Sequence, residues 1–518
     1  MPGASPPGPG RTAPSRGVSR HGGRRRGPDA GGGGASAAHP EQARPGRSCR
    51  RGRGRCRPRR GPDGGSRPVT PRRRHVRVAI GRRLLDVGDL RFEDDGTRQV
   101  SAFRYASSWL ERAGAFALAP DLPLVEGPHV RSGRRGATRS ALPGPISDAT
   151  PDSWGRGLIE RDLGRPPNEL EFLLSASDET RQGALRFIDE SGTPQSRDWP
   201  PVPRRNDLAR LLALARAYET DPAMGARQLR ELAGHAGSLG GARPKSDFDD
   251  NGTLAIAKFT SDRDTRPVER VEVATLNLAR AAGLHAAEAR LEIPEAQRPV
   301  AIIRRFDRGE GGRMPYLSAQ SFLGRDEAEG GFYTDILDAL AAHGADPVRQ
   351  MEELHNRLMF TILVSNNDDH LKNHGFLHRT GGLWVLAPAF DINPQPERHR
   401  MLATGISEEF GRTASIEAAI EAGPYFDLTE DRACANLRRM LDVIAQQWSV
   451  RCRAAGMSSR EIAAYRPAFD HEETRKAERL VAMKMAVTTQ ASGPLVAPND
   501  QVDGKRAASS GNMRTVKD

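Results

Sequence analysis

Residues Thr361 to Phe376, TILVSNNDDHLKNHGF, concentrate proton-handling and metal-binding side chains between two apolar runs. Before it, apolar residues recur at helical spacing from Met351 to Val364, which predicts a buried helix that delivers the polar loop to the interior. After it, Gly375 to Pro388 is predicted to form a hairpin that leads into Ala389-Phe390-Asp391. The sequence therefore predicts a helix, a polar loop, a hairpin and a second acid.

Three residues of this region have the spacing that phosphoryl transfer requires. A kinase needs an acid that accepts or orients the attacking hydroxyl, an amide five residues later that holds magnesium, and another acid from a nearby strand end. Asp368, Asn373 and Asp391 meet that specification. His370 and Lys372 stand in the same loop and complete its candidate nucleotide contacts. The alternative is a polar turn whose Asn and Asp side chains cap helices and bind backbone.

A glycine-rich loop lies further upstream. Gly234 to Phe248, GHAGSLGGARPKSDF, precedes a predicted strand at Thr253 to Phe259. Its glycines, together with Ser238, allow the backbone to approach phosphates closely, and Lys245 adds a positive charge. The Gly-Lys-Ser/Thr ending of a Walker loop is missing, so a simple connecting turn is the alternative.

The strand after this loop carries a lysine in an unusual place. Lys258 shares a strand face with Leu254 and Ile256, where a surface lysine is not expected. Kinases hold the α- and β-phosphates with such a lysine, provided that a helical glutamate pairs with it. Glu272 is predicted to face inward and supply that carboxylate, with Glu269 in reserve. The alternatives are a solubilising lysine on an edge strand and an ordinary glutamate on a helix surface.

A strand predicted at Val300 to Phe306 ends where the two lobes of a kinase would be joined. Backbone groups around Arg305 and Phe306 are therefore candidate contacts for adenine. An apolar strand that ends in charged residues is also common without any ligand.

The charge is unevenly distributed. Residues 1–75 contain 19 Arg and no Lys and carry a net charge of +16, whereas the whole chain carries +12, so the remainder carries −4. This Gly-, Pro- and Arg-rich tail has almost no large apolar residue and is predicted to be disordered. It is either a nonspecific nucleic-acid arm or an extension without a function.

Several classes of protein are disfavoured. No apolar run approaches the roughly 20 residues that a membrane span needs, and no signal peptide is evident, so a cytoplasmic protein is expected. Cys49, Cys56, Cys434 and Cys452 are too few for a disulfide framework and form no zinc motif. The part from Arg74 to about Phe187 is predicted to be a small β-rich unit, whose third strand covers Ser101 to Trp109. Two helices are predicted in it, at Trp154 to Leu163 with Asp152 and Ser153 as candidate caps and at Glu169 to Leu174. Because nothing in it has catalytic spacing, we expect a packing or partner-docking domain.

Taken together, the motifs resemble the HipA-like serine/threonine kinases, toxin components of bacterial type II toxin–antitoxin systems. The matching stretches occur in family order and are PDSWGRGLIERDL, GALRF, GSLGGARPK, AIAKF, VERVEVATLNLARAAGL, RRFDR, SNNDDHLKNHGF and AFDINP.

The resemblance implies an α+β fold, with a small β-rich N-terminal domain followed by a two-lobed, protein-kinase-like domain whose C-terminal lobe is mostly helical. It implies a domain order of tail 1–74, N-terminal domain 75–195, kinase domain 200–485 and a second tail 486–518. It assigns the phosphate loop to Ser238, Leu239, Gly240, Gly241, Ala242 and Lys245. Lys258 would be the ATP lysine, Asp368 the catalytic base, and Asn373 and Asp391 the magnesium ligands.

The same resemblance implies ATP and Mg²⁺ as cofactors and autophosphorylation of Ser238. The partner would be a small helix-turn-helix antitoxin similar to HipB, through which the kinase meets DNA indirectly. The substrate would be a translation component such as glutamyl-tRNA synthetase. Two other functions stay open: a catalytically silent DNA co-repressor or binding module, and a small-molecule phosphotransferase.

Overall fold

The computed structural model describes residues 72–236, 241–397 and 400–491, and it has the predicted α+β architecture. An antiparallel five-stranded sheet opens the described chain. Buried and exposed residues alternate along its strands, so one face packs against the core. Its strands, in the spatial order β4-β3-β2-β1-β5, are β1 (Arg72–Ile80), β2 (Leu85–Asp94), β3 (Arg98–Tyr105), β4 (His129–Arg134) and β5 (Leu185–Ile188).

This sheet begins earlier than predicted. Arg72 and Arg73 already pair with Asp94 and Glu93 across the hairpin, so the folded part starts at least three residues before the predicted boundary at residue 75. The third predicted strand, which extended to Trp109, ends instead at Tyr105. Trp109 lies on a short helix, where its buried indole donates to the carbonyl of Phe116.

Helices complete the N-terminal domain. Asp152 caps the helix that carries Trp154, as predicted, by accepting a hydrogen bond from the backbone N–H of Gly155. A capping box between Asn168 and Glu171 starts the next helix. These helices and the two that follow are α1 (Ser107–Leu110), α2 (Gly144–Ser147), α3 (Ser153–Leu163), α4 (Glu169–Ser175), α5 (Leu208–Thr220) and α6 (Ala226–Ala233).

A second antiparallel sheet, in the order β6-β7-β9-β8, carries the predicted lysine strand. One face packs on α3, α5 and α6 through Trp154, Phe248 and Phe259. The other face joins the main core with the helix that carries Glu272. The elements of this lobe are β6 (Lys245–Asp250), β7 (Thr253–Phe259), α7 (Val268–Ala281), β8 (Ala289–Glu295) and β9 (Arg298–Arg304).

The C-terminal lobe is mostly helical, as expected. The predicted hairpin after the polar loop is present, and a third strand that the sequence did not reveal pairs with it. The elements are β10 (Arg308–Gly309), β11 (Gly312–Arg313), β12 (Tyr316–Ser318), α8 (Ala319–Phe322), α9 (Tyr333–His343), α10 (Pro347–Leu363), β13 (Gly375–His378), β14 (Trp384–Leu386), α11 (Ile416–Glu421), α12 (Glu430–Ala454), α13 (Ser459–Phe469) and α14 (Glu472–Ala491).

The last helix continues to Ala491, beyond the predicted start of the C-terminal tail at residue 486. None of the described helices is both long and apolar enough to cross a membrane. Residues 1–71 and 492–518 lie outside the described residues.

Candidate active site

A cleft of about 440 Å³ lies where the N-terminal domain, the sheet β6-β7-β9-β8 and the polar loop meet. Lys258, Glu272 and Asp391 line it together with His370 and Lys372 from the polar loop. The sequence therefore predicted residues from four separate segments that the fold brings to one cleft. This concentration of charged groups in one concave site is typical of an active site.

Lys258 is the centre of the charge arrangement in the cleft. Its Nζ donates to Glu272 Oε1 at 2.5 Å and to Asp391 Oδ1 at 2.7 Å. Burial lowers the pKa of Lys258, but the two carboxylates more than offset this and leave it raised. The lysine is thus a fixed cation that α7 holds through Glu272. Glu269, the reserve candidate, is turned to Arg243 instead.

Asp391 enters the cleft from the turn after β14. Its φ is +56°, an unusual conformation for a residue other than glycine. Burial raises the pKa of this carboxyl, but the neighbouring positive charges, Lys258 first among them, together outweigh burial and lower it. The net pKa is about 2, so the group is ionised. Asn393 donates its side-chain N–H to Asp391 Oδ1 at 2.9 Å, and its backbone N–H to Asn366 Oδ1 at 2.9 Å. These contacts tie Asp391 to the polar loop.

The polar loop follows the C-terminus of α10 and folds into a short 3₁₀ turn over Leu371–Asn373. Asn373 is nearly buried and donates its amide N–H to the backbone carbonyl of Asp368 at 3.0 Å. Because the amide nitrogen makes this bond, the amide oxygen is the side-chain atom of Asn373 that could act as a ligand. Asp368 reaches the protein surface, although neighbouring atoms shield part of its carboxyl from water. This partial desolvation and the carboxylates of Asp391, Asp369 and Glu329 raise its pKa, whereas His370 opposes the shift.

Asp369, next along the chain, has a different environment. Its carboxylate is buried and accepts from the Tyr333 hydroxyl at 2.5 Å, while His374 Nε2 lies 3.2 Å away. Burial raises the pKa of Asp369, but His374 and the tyrosine hydroxyl more than offset this and leave it lowered. Asp369 therefore holds the loop in place, and Asp368 is left at the surface.

The glycine-rich loop is described only in part. Ser238, Leu239 and Gly240, three of its predicted phosphate contacts, lie outside the described residues. Gly241 lines the cleft with φ +95°, and Ala242 beside it is exposed. Lys245 differs from expectation, because its side chain is buried and its Nζ donates to Asp152 Oδ2 at 2.6 Å. The charge of Lys245 is therefore neutralised by the N-terminal domain, and the lysine is not offered openly to a phosphate.

The predicted adenine region is apolar on the cleft side. Phe306 lines the cleft, with its ring centroid 5.5 Å from that of Phe390 and 6.3 Å from that of Tyr316. Ile256 and Ile303 extend this wall on the strands β7 and β9. A flat heterocycle is the kind of group that fits such a wall.

Arg305 does not belong to that wall, in contrast to the prediction. Its backbone N–H is used by the carbonyl of Leu254, and its guanidinium is fully buried. It donates to Asp307 and Asp247 and to the carbonyl of Thr180 at 2.5 Å. A charged residue at the end of a strand can be drawn inward when carboxylates compensate it. Arg305 is therefore part of a buried ionic cluster that joins the lobe connection to the N-terminal domain.

The N-terminal domain supplies one wall of the cleft, which the sequence analysis did not predict. Arg156 forms a bidentate pair with Glu169 at 2.8 Å for both bonds, and Ser140 donates to the same carboxylate. These polar side chains lie on α3, on α4 and in loops, without a regular spacing. The PDSWGRG motif is the available signal in the sequence, but an aspartate directly before a helix is also an ordinary helix cap. The lining residues from this domain include Ser140, Asp148, Asp152, Arg156, Glu169 and Gln182.

Comparisons with known proteins agree with this architecture. The HipA N-terminal domain family matches residues 79–188, and the HipA-like C-terminal domain family matches residues 237–448. The "Putative kinase" of Haemophilus influenzae is 28% identical over 109 residues. That match covers 18% of this chain and 32% of the relative, about a third of its length.

Two solved structures are similar. HipA of Shewanella oneidensis, solved in a complex of HipA, HipB and its operator DNA, is 18% identical, with a TM-score of 0.55 over 78% of this chain and 97% of that chain. The proinflammatory kinase CtkA of Helicobacter pylori is 14% identical, with a TM-score of 0.34 over 47% of this chain and 95% of that one. The first shows a shared fold over nearly the whole of that HipA chain. With both family domains present in order, the chain belongs to the HipA-like family.

Proposed function

We propose that this protein is an ATP- and Mg²⁺-dependent serine/threonine protein kinase. The observation that carries the proposal is the position of Lys258 Nζ between Glu272 and Asp391, in the cleft beside the Asp368–Asn373 loop. A lysine fixed by a helical glutamate next to a metal-binding acid is the arrangement that protein kinases use to hold a triphosphate. Glu272 positions the lysine, and the lysine binds phosphate oxygens.

The nucleotide is expected to lie with its base on the apolar wall and its phosphates towards Lys258. Phe306, Phe390 and Tyr316 offer the base aromatic contacts. Gly241, with its left-handed φ, also lines the cleft and permits close approach of backbone to phosphate. His370 and Lys372 line the cleft from the polar loop and provide donors for the terminal phosphate.

The residues present also suit magnesium. Asp391 is ionised, and Asn373 offers an amide oxygen, which are the hard oxygen ligands that Mg²⁺ prefers. Within residues 72–236, 241–397 and 400–491, no group of three or more His, Cys, Asp or Glu side chains forms a metal site. An ion held by Asp391 and Asn373 would therefore share the oxygens of the nucleotide, whose charge it neutralises.

Asp368 is assigned the role of general base. The acceptor hydroxyl oxygen forms a bond to the γ-phosphorus while the bond from that phosphorus to the ADP oxygen breaks. The hydroxyl proton passes to the Asp368 carboxylate, which is exposed and whose pKa is raised above its ordinary value by burial and by neighbouring carboxylates. Asp369 is excluded from this role because it is buried between Tyr333 and His374.

Transfer of labelled γ-phosphate tests the proposal. The purified protein, incubated with Mg²⁺ and labelled ATP, is expected to label a protein serine or threonine, whereas Lys258→Met should lose most of this activity. Labelling of a small molecule but of no protein would favour a small-molecule phosphotransferase. An absence of both nucleotide binding and transfer in the wild type would favour a silent binding module.

The wider role that we propose is that of a toxin in a type II toxin–antitoxin system. The family assignment supports it, and the Shewanella relative was solved with HipB and operator DNA. A small helix-turn-helix antitoxin would then bind this kinase and connect it to DNA, and the substrate would be a translation component such as glutamyl-tRNA synthetase. Purification from native cells is expected to recover such a partner. Recovery of the protein alone, with no growth arrest when it is overproduced, would contradict this role.

Autophosphorylation of Ser238 remains part of the proposal. The serine lies outside the described residues, so the support is the sequence of the loop and the adjacent cleft residue Gly241. A phosphate adds about −1.5 to −2 charge and would repel a bound triphosphate. Incubation with ATP and Mg²⁺ followed by peptide mass spectrometry should place phosphate on Ser238. Phosphate on other serines alone would argue against this switch.

A further inference from the structure

The described end of the glycine-rich loop is attached to the N-terminal domain through Asp152 and Trp154. Asp152 Oδ2 accepts from Lys245 Nζ at 2.6 Å. The indole N–H of Trp154 donates to the carbonyl of Lys245 at 3.0 Å, and its backbone N–H donates to the carbonyl of Gly241 at 3.4 Å. Residues 152 and 154 thus hold both ends of the segment Gly241–Lys245. Gly241 at one of these ends lines the cleft.

The ion pair between Lys245 and Asp152 is buried. The two side chains are 3% and 5% exposed, so neither charge has access to much water. Lys245 Nζ also donates to the carbonyl of Gly241 at 3.3 Å, which closes the segment on itself. A Cβ at Gly241 would lie 3.3 Å from that Nζ, and φ there is +95°. The compact shape of the segment therefore depends on glycine at position 241 and on the ion pair that compensates the charge of Lys245.

Lys245 also faces the catalytic lysine. The two residues are directly opposite each other on the antiparallel strands β6 and β7, so their side chains share one face of the sheet. Like charges in this relation repel each other. Glu272 and Asp391 compensate Lys258, and Asp152 compensates Lys245. A carboxylate of the N-terminal domain therefore completes the charge balance of the nucleotide site.

We propose that Asp152 is a positioning residue for nucleotide binding, which acts by holding Lys245 and the Gly241–Lys245 segment in the conformation that accepts the phosphates. This inference rests on the proposed kinase function. It assigns the N-terminal domain a part in the nucleotide site beyond packing. It also predicts that any event that moves the start of α3 changes nucleotide affinity.

The test compares two buried aspartates of the same region. Asp152→Asn removes the charge at the segment. Asp162→Asn, at the other end of α3, removes a carboxylate that is 0% exposed and paired with Arg197 and Arg230, away from the cleft. Both variants lose a buried ion pair and are expected to lose stability. A difference between them in nucleotide binding therefore reports position and not stability alone.

Calorimetric titration with Mg²⁺ and a non-hydrolysable ATP analogue measures the Kd of each variant. Asp152→Asn should raise the Kd by about tenfold, while kcat at saturating ATP stays within about threefold of the wild type. Asp162→Asn should bind as the wild type does. Unchanged or tighter binding by Asp152→Asn would overturn the inference, because a released Lys245 would then be the direct phosphate contact. An equal loss in Asp162→Asn would overturn it as well.

A double-mutant cycle examines the route through Lys245. If Asp152 acts through this lysine, Asp152→Asn combined with Lys245→Met should bind the analogue no more weakly than Lys245→Met alone. Additive losses would contradict that route.

Hydrogen exchange separates this inference from the proposed function. Without nucleotide, peptides that cover residues 241–250 should exchange faster in Asp152→Asn than in the wild type or in Asp162→Asn. If the wild type binds no nucleotide, the kinase proposal fails, and the exchange comparison still decides whether Asp152 holds the segment. Unchanged exchange in Asp152→Asn would overturn the inference in either case.

Discussion

Adjacent aspartates in the loop after α10 have opposite environments, and this contrast supports the different roles proposed for them. Asp369 is buried against Tyr333 and His374, whereas Asp368 is exposed. A proton acceptor needs access to its substrate and a raised pKa, and a positioning carboxylate needs hydrogen-bond donors around it. At the residue scale the sequence predicted the acid from its spacing to Asn373. Which of the two aspartates is buried could not be predicted from the sequence, because the burial of Asp369 depends on Tyr333 in the distant helix α9.

The raised pKa of Asp368 predicts the pH dependence of activity. The base must be ionised, so kcat/KM should fall as the pH is lowered through the pKa of Asp368, which is raised from its ordinary value. Glu329 is one of the carboxylates that raise this pKa, and Glu329→Gln should therefore move the acid limb of the profile to lower pH. The pH profile of kcat/KM for both proteins is the measurement. An acid limb that does not move in Glu329→Gln would argue against Asp368 as its origin.

Glu272 and Glu269 offer a matched comparison on α7, because both are buried but only Glu272 of the two contacts Lys258. Glu272→Gln should lower kcat/KM by about 10- to 100-fold, because a neutral amide oxygen replaces the carboxylate in a charge-assisted hydrogen bond with Lys258. Glu269→Gln should change it little, since Arg243 keeps its pair with Asp264. Steady-state kinetics with ATP as the varied substrate decide this. A larger loss for Glu269→Gln would reverse the assignment.

At the scale of elements, the connection between the lobes is fixed by buried charges. Arg305, directly after β9, donates to Asp247 and Asp307, and Asp307 also accepts from the backbone N–H of Gly183 before β5. Burial raises the pKa of Asp307, but Arg305 and Arg308 outweigh it and lower the pKa to about 2. The strand was predictable from its apolar residues. The inward turn of Arg305 was not, because its partners come from three separate segments.

This cluster gives a stability prediction. Asp307→Asn leaves Arg305 undercompensated in the interior and should lower the free energy of unfolding by about 3 kcal/mol or more. The exposed pair of Arg304 and Glu288 is the control, and Glu288→Gln should change the unfolding free energy by less than about 1 kcal/mol. Urea unfolding of the three proteins provides the values. Equal stability of Asp307→Asn and the wild type would show that the cluster does not hold the lobe connection.

At the scale of the whole molecule, the order and class of the domains were predictable because each motif marks one element. The sequence pattern predicts Lys258 on a strand and Glu272 on a helix, and the structure has them on β7 and α7. Both side chains line the same cleft. The contribution of the N-terminal domain to that cleft was not predictable, since Asp152 also has an ordinary role as a helix cap. Long-range contacts such as that between Asp152 and Lys245 leave no periodic signal in the sequence.

The N-terminal tail gives a prediction at this scale. Because residues 1–71 have few large apolar side chains, their deletion should leave the melting temperature and the kinase activity unchanged. The deletion must stop before Arg72, since β1 begins there. Any nonspecific DNA binding should weaken, and its salt dependence should be reduced. Thermal unfolding and DNA retention at two salt concentrations are the measurements, and a fall of several degrees in melting temperature would contradict the prediction.

The assignment of Asp368 as the base of a protein kinase is tested most directly by measuring transfer and binding in the same variant. Asp368→Asn should lower the rate of γ-phosphate transfer to protein by roughly 10²–10⁴-fold, because it removes the proton acceptor. Its Kd for Mg²⁺ and ATP should stay within about threefold of the wild type, because Lys258, Glu272 and Asp391 remain in place. Transfer at the rate of the wild type would contradict the assignment.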